Sequence, residues 1–336
     1  MNFVAKFGII EASEMVMDFK SVNDLPFIYD TYQLAHFLDI GRMDLFDIVN
    51  NCDNMYKKIE IPKKSFGTRV INAPELRLKH IQRIIHTKIL DNISISKYAS
   101  AYHKKAKLVE NASPHVGKRF LLKLDLIDFF GSIQFKEIYS CVFNTKYFPK
   151  QIGVMLTKLC CVNDVLPQGT PTSPAISNIV MKNFDDNFGA WCEARGFSYT
   201  RYCDDITISG NKPLYPAYCK AKRWLENMGF EINPHKTRFI TNASRQTVTG
   251  ITVNDKLSVS ADYKRKLRQE IYYALKFGIG DAVLHKNITK YIDRGKADVS
   301  GYYSYLVGKV SFVLSIEPCN AYFKKAFEEL IALNIS

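Results

Sequence analysis

The spacing of apolar residues divides the first third of the chain into helices and a hairpin. Residues 30–50 carry apolar side chains at helical spacing with an interruption near Gly41, which predicts two short helices. Residues 59–74 contain two β-rich runs around a basic loop and predict a hairpin. Residues 75–93 return to helical spacing. One face of this predicted helix is apolar: Leu78, Ile81, Ile85 and Ile89.

The middle third alternates between extended and helical patterns. A strand opens the stretch 119–133, and a helix covers residues 175–196. Two short alternating runs at residues 199–210, YTRYCDDITISG, predict a hairpin. A helix at 215–228 then leads into the extended stretch 230–240. The order strand, helix, hairpin, helix, strand is typical of a split βαβ sheet, so the predicted fold class is α+β.

From about residue 261 the pattern is helical again. The first of these helices has an apolar ridge formed by four residues: Tyr263, Leu267, Ile271 and Leu275. The next ridge round the helix carries three cations: Lys264, Arg268 and Lys276. A helix of this kind docks one side on the protein and offers the other side to phosphate groups.

The positive charge is concentrated in two zones of the chain. The formal net charge is +13, and the isoelectric point is near 9.2. Residues 57–88 hold nine Lys and Arg against two acidic residues, and residues 256–296 hold ten against four. These zones account for the whole net charge, which predicts a polyanion held from two sides with chemistry between them. A generally basic soluble protein is the alternative, and an anionic membrane partner has less support because neither zone has a large apolar face.

The remaining composition favours a cytoplasmic protein. No apolar run approaches the roughly 18 residues that cross a bilayer, and the first residues do not resemble a secretory signal. The eight cysteines are scattered without a CxxC pair, which predicts free thiols and not a structural zinc site.

Two adjacent aspartates in the predicted hairpin are the first candidate for chemistry. Asp204 and Asp205 repel each other and gain nothing from packing. A third acid, Asp125, ends an apolar strand in LKLDLIDFF, and a split βαβ sheet places that strand beside the hairpin. Three converging carboxylates require cations, and ligation by oxygen alone selects Mg²⁺ or Mn²⁺. Two such ions about 4 Å apart can activate a 3′-hydroxyl and stabilise a departing pyrophosphate.

A second adjacent pair provides an internal comparison. Asp185 and Asp186, in KNFDDNFG, lie on the helix predicted for residues 175–196. Neighbouring side chains on a helix diverge by about 100° and share an ion poorly. We therefore interpret this pair as part of a solvated helix face.

Several stretches resemble a known family. LKLDLIDFF, LPQGTPTSP and YCDD, in this order, resemble the central motifs of reverse transcriptases, and GFEINPHKT and VTGITVN resemble the next two blocks. The resemblance runs from about Ile59 to Leu306. NASPH at 111–115 and VTG at 248–250 are similar to two signatures of bacterial retron reverse transcriptases.

The resemblance implies a right-hand polymerase fold with fingers, a palm built on a split βαβ antiparallel sheet, and a helical thumb. Residues 1–118 would form N-terminal helices and fingers, residues 119–253 the palm with part of the fingers, and residues 254–336 an RNA-binding thumb.

The resemblance also implies a set of site residues. The catalytic metal ligands would be Asp125, Asp204 and Asp205, holding two Mg²⁺ ions for which Mn²⁺ may substitute. Phe130 matches the aromatic residue that excludes a ribose 2′-hydroxyl, and the alternative is that it is a core residue. Asp128, nearby, is interpreted as a turn residue and not a ligand. The nucleotide would be bound by the remaining matches: Lys63, Lys64 and Arg69 at the triphosphate, Gln168 and Gly169 in the pocket, and Lys236 at the pyrophosphate.

RNA binding is implied for two groups of residues. The first is the pair of signatures, represented by Asn111, His115, Val248, Thr249 and Gly250. The second is the cationic ridge of the thumb helix, with Lys264, Arg268 and Lys276. His115 is either an RNA contact or a buried, hydrogen-bonded histidine.

The function implied by the resemblance is RNA-directed DNA polymerisation from dNTPs. A retron enzyme copies part of a dedicated structured non-coding RNA into single-stranded DNA (msDNA), primed from an internal guanosine 2′-hydroxyl, in anti-phage defence with an effector protein. The alternatives are a group II intron-like or other bacterial reverse transcriptase, an RNA-dependent RNA polymerase, and an inactive RNA-binding scaffold. All three metal aspartates are present, which argues against a scaffold.

Overall fold

The computed structural model describes residues 25–62, 68–104, 106–285, 288–293 and 296–333. The helices are α1 (Thr31–Phe37), α2 (Arg42–Asn51), α3 (Leu76–Lys88), α4 (Leu108–Ala112), α5 (Phe135–Cys141), α6 (Lys150–Lys158), α7 (Ser173–Glu193), α8 (Tyr215–Asn227), α9 (Ala261–Phe277), α10 (Ile279–His285), α11 (Val299–Ile316) and α12 (Ala321–Ala332). The strands are β1 (Tyr56–Pro62), β2 (Thr68–Pro74), β3 (Phe120–Ile127), β4 (Ser198–Tyr202), β5 (Asp205–Gly210), β6 (Glu231–Ile232), β7 (Arg238–Thr241), β8 (Thr247–Val248), β9 (Ile251–Thr252), β10 (Ile292–Asp293) and β11 (Lys296–Ala297).

The N-terminal elements follow the sequence pattern closely. The Asp30 side chain accepts a hydrogen bond from the backbone of Gln33 and caps α1, while α2 begins directly after Gly41. β1 and β2 pair antiparallel, with Tyr56 opposite Pro74. The apolar face of α3 is fully buried as predicted, at Leu78, Ile81 and Ile85.

A five-stranded sheet organises the middle of the chain. The strand order is β4-β5-β3-β6, and β7 also pairs with β3. β3 and β6 are antiparallel, with Leu126 opposite Ile232. The β4–β5 hairpin therefore lies directly beside β3, which is the arrangement that the split βαβ prediction requires. The mixture of helices with this sheet confirms the α+β class.

The chain forms two compact units. The first comprises residues 1–106, 123–207 and 215–238, and the second comprises residues 107–122, 208–214 and 239–336. In the first unit, α7 contributes a long buried face that includes Ile176, Phe184 and Phe188.

The second unit has its own apolar core. It is built mainly from α9, α11 and α12, through residues such as Leu267, Ile271, Val313, Phe323 and Leu330. Side chains cap the first turns of all three helices: Ser260, Asp298 and Asn320. In the described parts of the chain, none of the helices has the length and apolar character that spanning a bilayer demands.

Candidate active site

The tight turn between β4 and β5 places two carboxylates side by side. β4 ends at Tyr202 and β5 begins at Asp205, so only Cys203 and Asp204 form the link. Cys203 has a φ of +58°, in the left-handed region that non-glycine residues seldom adopt. β3 is the hydrogen-bonded neighbour of β5, and Asp125 lies two residues before the end of β3. The three aspartates therefore belong to one end of the sheet.

Negative charge is concentrated around this turn. Burial raises the pKa of Asp204 above its ordinary value, and the charge of Asp125 raises it further. Burial also raises the pKa of Asp205, and the neighbouring Asp204 carboxylate adds to that effect. Lys236 and Arg69 act in the opposite direction on Asp204 but do not reverse the shift. A cation placed here would relieve repulsion that the described residues leave in place.

Asp125 already contacts a cation of the protein. The Lys236 ammonium donates to both carboxylate oxygens of Asp125, at 2.8 and 2.9 Å. The Lys236 side chain is 59% exposed, whereas that of Asp125 is 14% exposed. The turn that carries Lys236 is also anchored to Asp125, because the backbone amide of Asn233 donates to the backbone carbonyl of Asp125 at 2.8 Å. Lys236 is thus a solvent-accessible partner that a competing cation can displace.

The aspartates fit divalent-cation binding by their chemistry, although they are not assembled as a finished cage. Within the described ranges, no three His, Cys, Asp or Glu side chains gather closely enough to hold a metal ion. Carboxylate oxygens are the ligands that Mg²⁺ and Mn²⁺ prefer, so the donor set of the three aspartates fits either ion.

The predicted nucleotide-pocket loop packs against the β1–β2 hairpin. The backbone amide of Asn72 in β2 donates to the backbone carbonyl of Gln168 at 2.8 Å. Gly169 has a φ of +108°, and a Cβ at this position would collide with the Ile71 side chain, so both conformation and space require glycine. Arg69 is exposed on the same hairpin and lowers the pKa of Asp204 by its charge. Lys63 and Lys64 lie outside the described residues.

Two adjacent phenylalanines follow β3 and occupy different environments. Phe129 is 3% exposed and packs against Phe230, with ring centroids 5.7 Å apart. Phe130 is half-buried beside it, with the two rings 5.4 Å apart. Phe129 thus fills the core position and leaves Phe130 at its edge. Asp128 has a φ of +41°, and its carbonyl accepts from Ser132, which agrees with the interpretation as a turn residue.

The interpretation of Asp185 as a solvated residue is wrong. Its side chain is 0% exposed and lies 2.6 Å from the guanidinium of Arg201, which is equally buried. Only Asp186 behaves as predicted: it is 42% exposed and forms an i,i+4 ion pair with Lys182. Sequence reasoning missed Arg201, although an arginine inside an alternating strand such as YTRY is a signal that a buried acid faces it.

The two retron signatures meet in the second unit. The Asn111 side-chain amide donates to the Thr249 hydroxyl at 3.4 Å, although 138 positions separate them in sequence. Thr249 and Gly250 have φ values of +45° and +85° and form a turn in which Thr249 is half-buried and Gly250 exposed. Asn111 and Val248 are 1% and 0% exposed. Of the five predicted RNA-binding residues in the two signatures, only Thr249 and Gly250 therefore reach the surface.

Of the two alternatives for His115, the structure shows the buried, hydrogen-bonded histidine, so the assignment of a direct RNA contact is corrected. Its side chain is 0% exposed, and Nδ1 lies 2.7 Å from the Ser209 hydroxyl. Burial, with a smaller contribution from Lys118, lowers the pKa of His115 to about 3. The imidazole is therefore neutral near pH 7 and enclosed by protein.

The three cations on the ridge of α9 differ in how far they are exposed. Lys264 is 18% exposed and forms an ion pair with Glu317 at 2.7 Å, so its charge is used inside the protein. Arg268 is exposed, with its guanidinium 5.2 Å from the ring centroid of Tyr322. Lys276 is also exposed and donates to the Tyr272 hydroxyl at 2.8 Å. We therefore correct the prediction for Lys264, while Arg268 and Lys276 remain available on the surface.

Comparison with known proteins identifies the class. The family profile described as "Reverse transcriptase (RNA-dependent DNA polymerase)" matches residues 61–253, more than half of the chain, and this range contains all three aspartates. The chain therefore belongs to the reverse transcriptase family. The right-hand polymerase fold and the RNA-directed DNA polymerase activity expected from the sequence are confirmed by this membership.

The relatives narrow the assignment to retron reverse transcriptases. The chain is 29% identical to the Retron Ec86 reverse transcriptase of Escherichia coli over 79% of this chain and 84% of that protein. It is 34% identical to the Retron Ec83 reverse transcriptase of Escherichia coli over 65% of this chain and 75% of that protein. Among solved structures it resembles telomerase from Candida albicans in complex with a fragment of telomeric RNA, at 13% identity and a TM-score of 0.45, over 84% of this chain and 57% of that chain.

Proposed function

We propose that this enzyme copies part of a dedicated, structured non-coding RNA into single-stranded DNA at the end of the sheet that carries Asp125, Asp204 and Asp205. The observation that carries the proposal is the cluster of carboxylates at this end of the sheet: Asp204 and Asp205 are adjacent in the β4–β5 turn, and β3, which carries Asp125, is the neighbouring strand. Burial and like charge raise the pKa of both Asp204 and Asp205. Like charges of this kind are kept where a divalent cation binds.

The three aspartates are the proposed metal ligands. Two Mg²⁺ ions, or Mn²⁺ in their place, would supply charge that favours the 3′-hydroxyl as a nucleophile and stabilises the departing pyrophosphate. The rest of the chemistry belongs to the chain itself. The Lys236 ammonium, 2.8 Å from Asp125, holds a proton where the pyrophosphate leaves and is a candidate general acid.

The nucleotide is positioned by the residues around the β1–β2 hairpin. Arg69 is the proposed triphosphate ligand, because guanidinium binds phosphate oxygens in pairs and this one lies within electrostatic reach of Asp204. Lys63 is a further proposed triphosphate ligand. Gln168 and Gly169 line the proposed pocket, and the exposed edge of the Phe130 ring excludes a ribose 2′-hydroxyl.

RNA is held by two surfaces in the proposal. The first is the Thr249–Gly250 turn, supported from behind by Asn111. The second is the exposed part of α9, where Arg268 and Lys276 combine positive charge with aromatic rings. We assign residues 1–118 to N-terminal helices and fingers, 119–253 to the palm with part of the fingers, and 254–336 to the thumb.

The biological setting is proposed from the retron relatives. Synthesis begins at an internal guanosine 2′-hydroxyl of the partner RNA, in the cytoplasm. The RNA–DNA product and an effector protein then act together in defence against phage.

Sequencing the nucleic acid that copurifies with the protein tests this proposal. Wild-type protein is expected to carry one structured RNA joined to single-stranded DNA that is complementary to part of it, whereas Asp204→Asn protein carries the RNA alone. Unrelated RNAs without a DNA product in both preparations would contradict the retron assignment. An intron RNA as the main species would favour the group II intron-like alternative.

The α9 surface is tested separately. Arg268→Ala is expected to weaken binding of the partner RNA and to make its salt dependence shallower by about one phosphate contact. Lys264→Ala is the matched control, because its charge faces Glu317, and it should reduce stability without changing that salt dependence. Unchanged salt dependence in Arg268→Ala would remove this helix from the RNA surface.

A further inference from the structure

A buried ion pair lies directly behind the turn that carries Asp204 and Asp205. Arg201 on β4 and Asp185 on α7 are both 0% exposed, and Nη2 of Arg201 lies 2.6 Å from Oδ2 of Asp185. Arg201 Nε is 2.9 Å from the other carboxylate oxygen. The Tyr199 hydroxyl also donates to Asp185, at 2.6 Å. Paired contact of this kind fixes the plane of a guanidinium group.

The remaining guanidinium nitrogen reaches the turn. Arg201 Nη1 donates to the carbonyl of Cys203 at 2.9 Å. That carbonyl belongs to the peptide group joining Cys203 to Asp204. Because Cys203 has a φ of +58°, its conformation persists only if the surrounding structure holds it. The hydrogen bond from Arg201 is one such restraint.

Further hydrogen bonds immobilise Arg201. Its backbone amide donates to the Tyr98 carbonyl at 2.9 Å, and its carbonyl accepts from Ser100 at 2.8 Å. Asn178 accepts from Nη2 at 3.2 Å and donates to the Ala101 carbonyl at 2.8 Å. The guanidinium group therefore has little freedom to leave the turn.

We propose that Asp185 and Arg201 are positioning residues for DNA synthesis. Asp185 orients the guanidinium, and Arg201 holds the Cys203 carbonyl, so that the turn presents Asp204 and Asp205 in the geometry for divalent-cation binding. The inference rests on the proposed role of those two aspartates as metal ligands. Fold stability alone does not account for the pair, since apolar residues of similar volume commonly replace a buried ion pair without loss of stability.

The test uses two variants of the pair and one matched control in the full-length protein. Arg201→Lys keeps the charge but cannot contact Asp185 and the Cys203 carbonyl together. The double variant Arg201→Met with Asp185→Leu replaces both charges by apolar groups. Lys158→Met is the control, because it removes another ion pair of the same compact unit, that with Asp53 at 2.8 Å, away from the turn.

Three measurements are made on each variant. The electron paramagnetic resonance signal of free Mn²⁺ gives the dissociation constant for that ion. Primer extension gives kcat and KM for dNTP, and thermal unfolding gives the midpoint temperature. We expect both pair variants to bind Mn²⁺ about 10-fold more weakly and to lose at least about 10-fold in kcat, with little change in KM. We expect the double variant to be more thermally stable than Arg201→Lys but to bind Mn²⁺ no more tightly. The control should lower only the thermal midpoint.

A double variant with wild-type Mn²⁺ affinity and kcat would overturn the inference, because the pair would then serve stability alone. The double variant also decides the question if Arg201→Lys does not fold. Asp204→Asn in the same assays separates this failure from failure of the proposed function. If Asp204→Asn retains Mn²⁺ binding and extension, the metal assignment itself is wrong; if it loses both while the pair variants keep them, only the positioning role fails.

Discussion

Two pairs of adjacent aspartates in the first compact unit differ in how the protein neutralises them. Asp185 is enclosed with Arg201 in a fully buried ion pair, and Asp186 pairs with Lys182 at the surface. Among the residues that the structure describes, Asp204 and Asp205 have no such ion pair. Burial raises the pKa of each, and a like charge raises it further: that of Asp125 for Asp204, and that of Asp204 for Asp205. We therefore propose a metal site only at the pair whose charge the described residues leave uncompensated, Asp204 and Asp205.

Asparagine substitution at the proposed metal ligands has the largest expected effect of the tests of this comparison. Asp204→Asn and Asp125→Asn are each expected to slow DNA synthesis by at least ~10³-fold, because one ligand charge is lost from the reacting centre. Primer extension on an RNA template with Mg²⁺ measures this effect. Circular dichroism should show an unchanged fold, and substantial activity in either variant would contradict the assignment of these residues as metal ligands.

The same change at the compensated pair is expected to lower stability, in addition to the proposed positioning effect of Asp185 on DNA synthesis. Asp185→Asn leaves the Arg201 charge buried without its partner, which costs about 3–5 kcal/mol in the free energy of unfolding. Asp186→Asn removes a surface i,i+4 pair, and a cost below about 0.5 kcal/mol is expected. Urea unfolding of both variants measures the difference. Equal, small effects would show that the buried ion pair is weaker than its geometry indicates.

The sequence alone predicts features that depend on local patterns, but it does not predict contacts between residues that are distant along the chain. The β4–β5 hairpin and the apolar face of α3 depend on local patterns, so both were predicted correctly. Arg201 neutralises Asp185 from a neighbouring strand, and His115 meets Ser209 across 94 positions, so their environments depend on tertiary packing. The Lys264–Glu317 pair spans 53 positions and escaped prediction for the same reason.

Substitution of Phe130 sharpens the comparison by asking what else surrounds the uncompensated pair. Phe130→Val removes the half-buried ring, and we expect the preference for dNTP over rNTP to fall by roughly 10- to 100-fold. Phe130→Tyr keeps the ring and should keep the preference. The measurement is the ratio of kcat/KM values for the two nucleotides. If the ratio is unchanged in Phe130→Val, the residue is part of the core.

Substitution of Arg69, whose charge acts on Asp204, has the smallest expected effect of these tests. Arg69→Ala is expected to raise KM for dNTP by roughly 10-fold with a smaller change in kcat, since it removes a charge-assisted phosphate contact. Arg77→Ala is the matched control, because Arg77 is exposed and pairs with Asp44 at 2.8 Å. Steady-state kinetics with saturating primer and template distinguishes the two, and an equal KM in both variants would remove Arg69 from the triphosphate site.

The Mg²⁺ dependence of thermal unfolding tests the central claim most directly. Wild type, Asp204→Asn and Asp186→Asn are compared over a series of Mg²⁺ concentrations at constant ionic strength. A cation that binds only the native state raises the midpoint, so we expect equal rises in wild type and Asp186→Asn and a much smaller rise in Asp204→Asn. A rise in Asp204→Asn equal to that of wild type would contradict the claim that the uncompensated pair binds the metal.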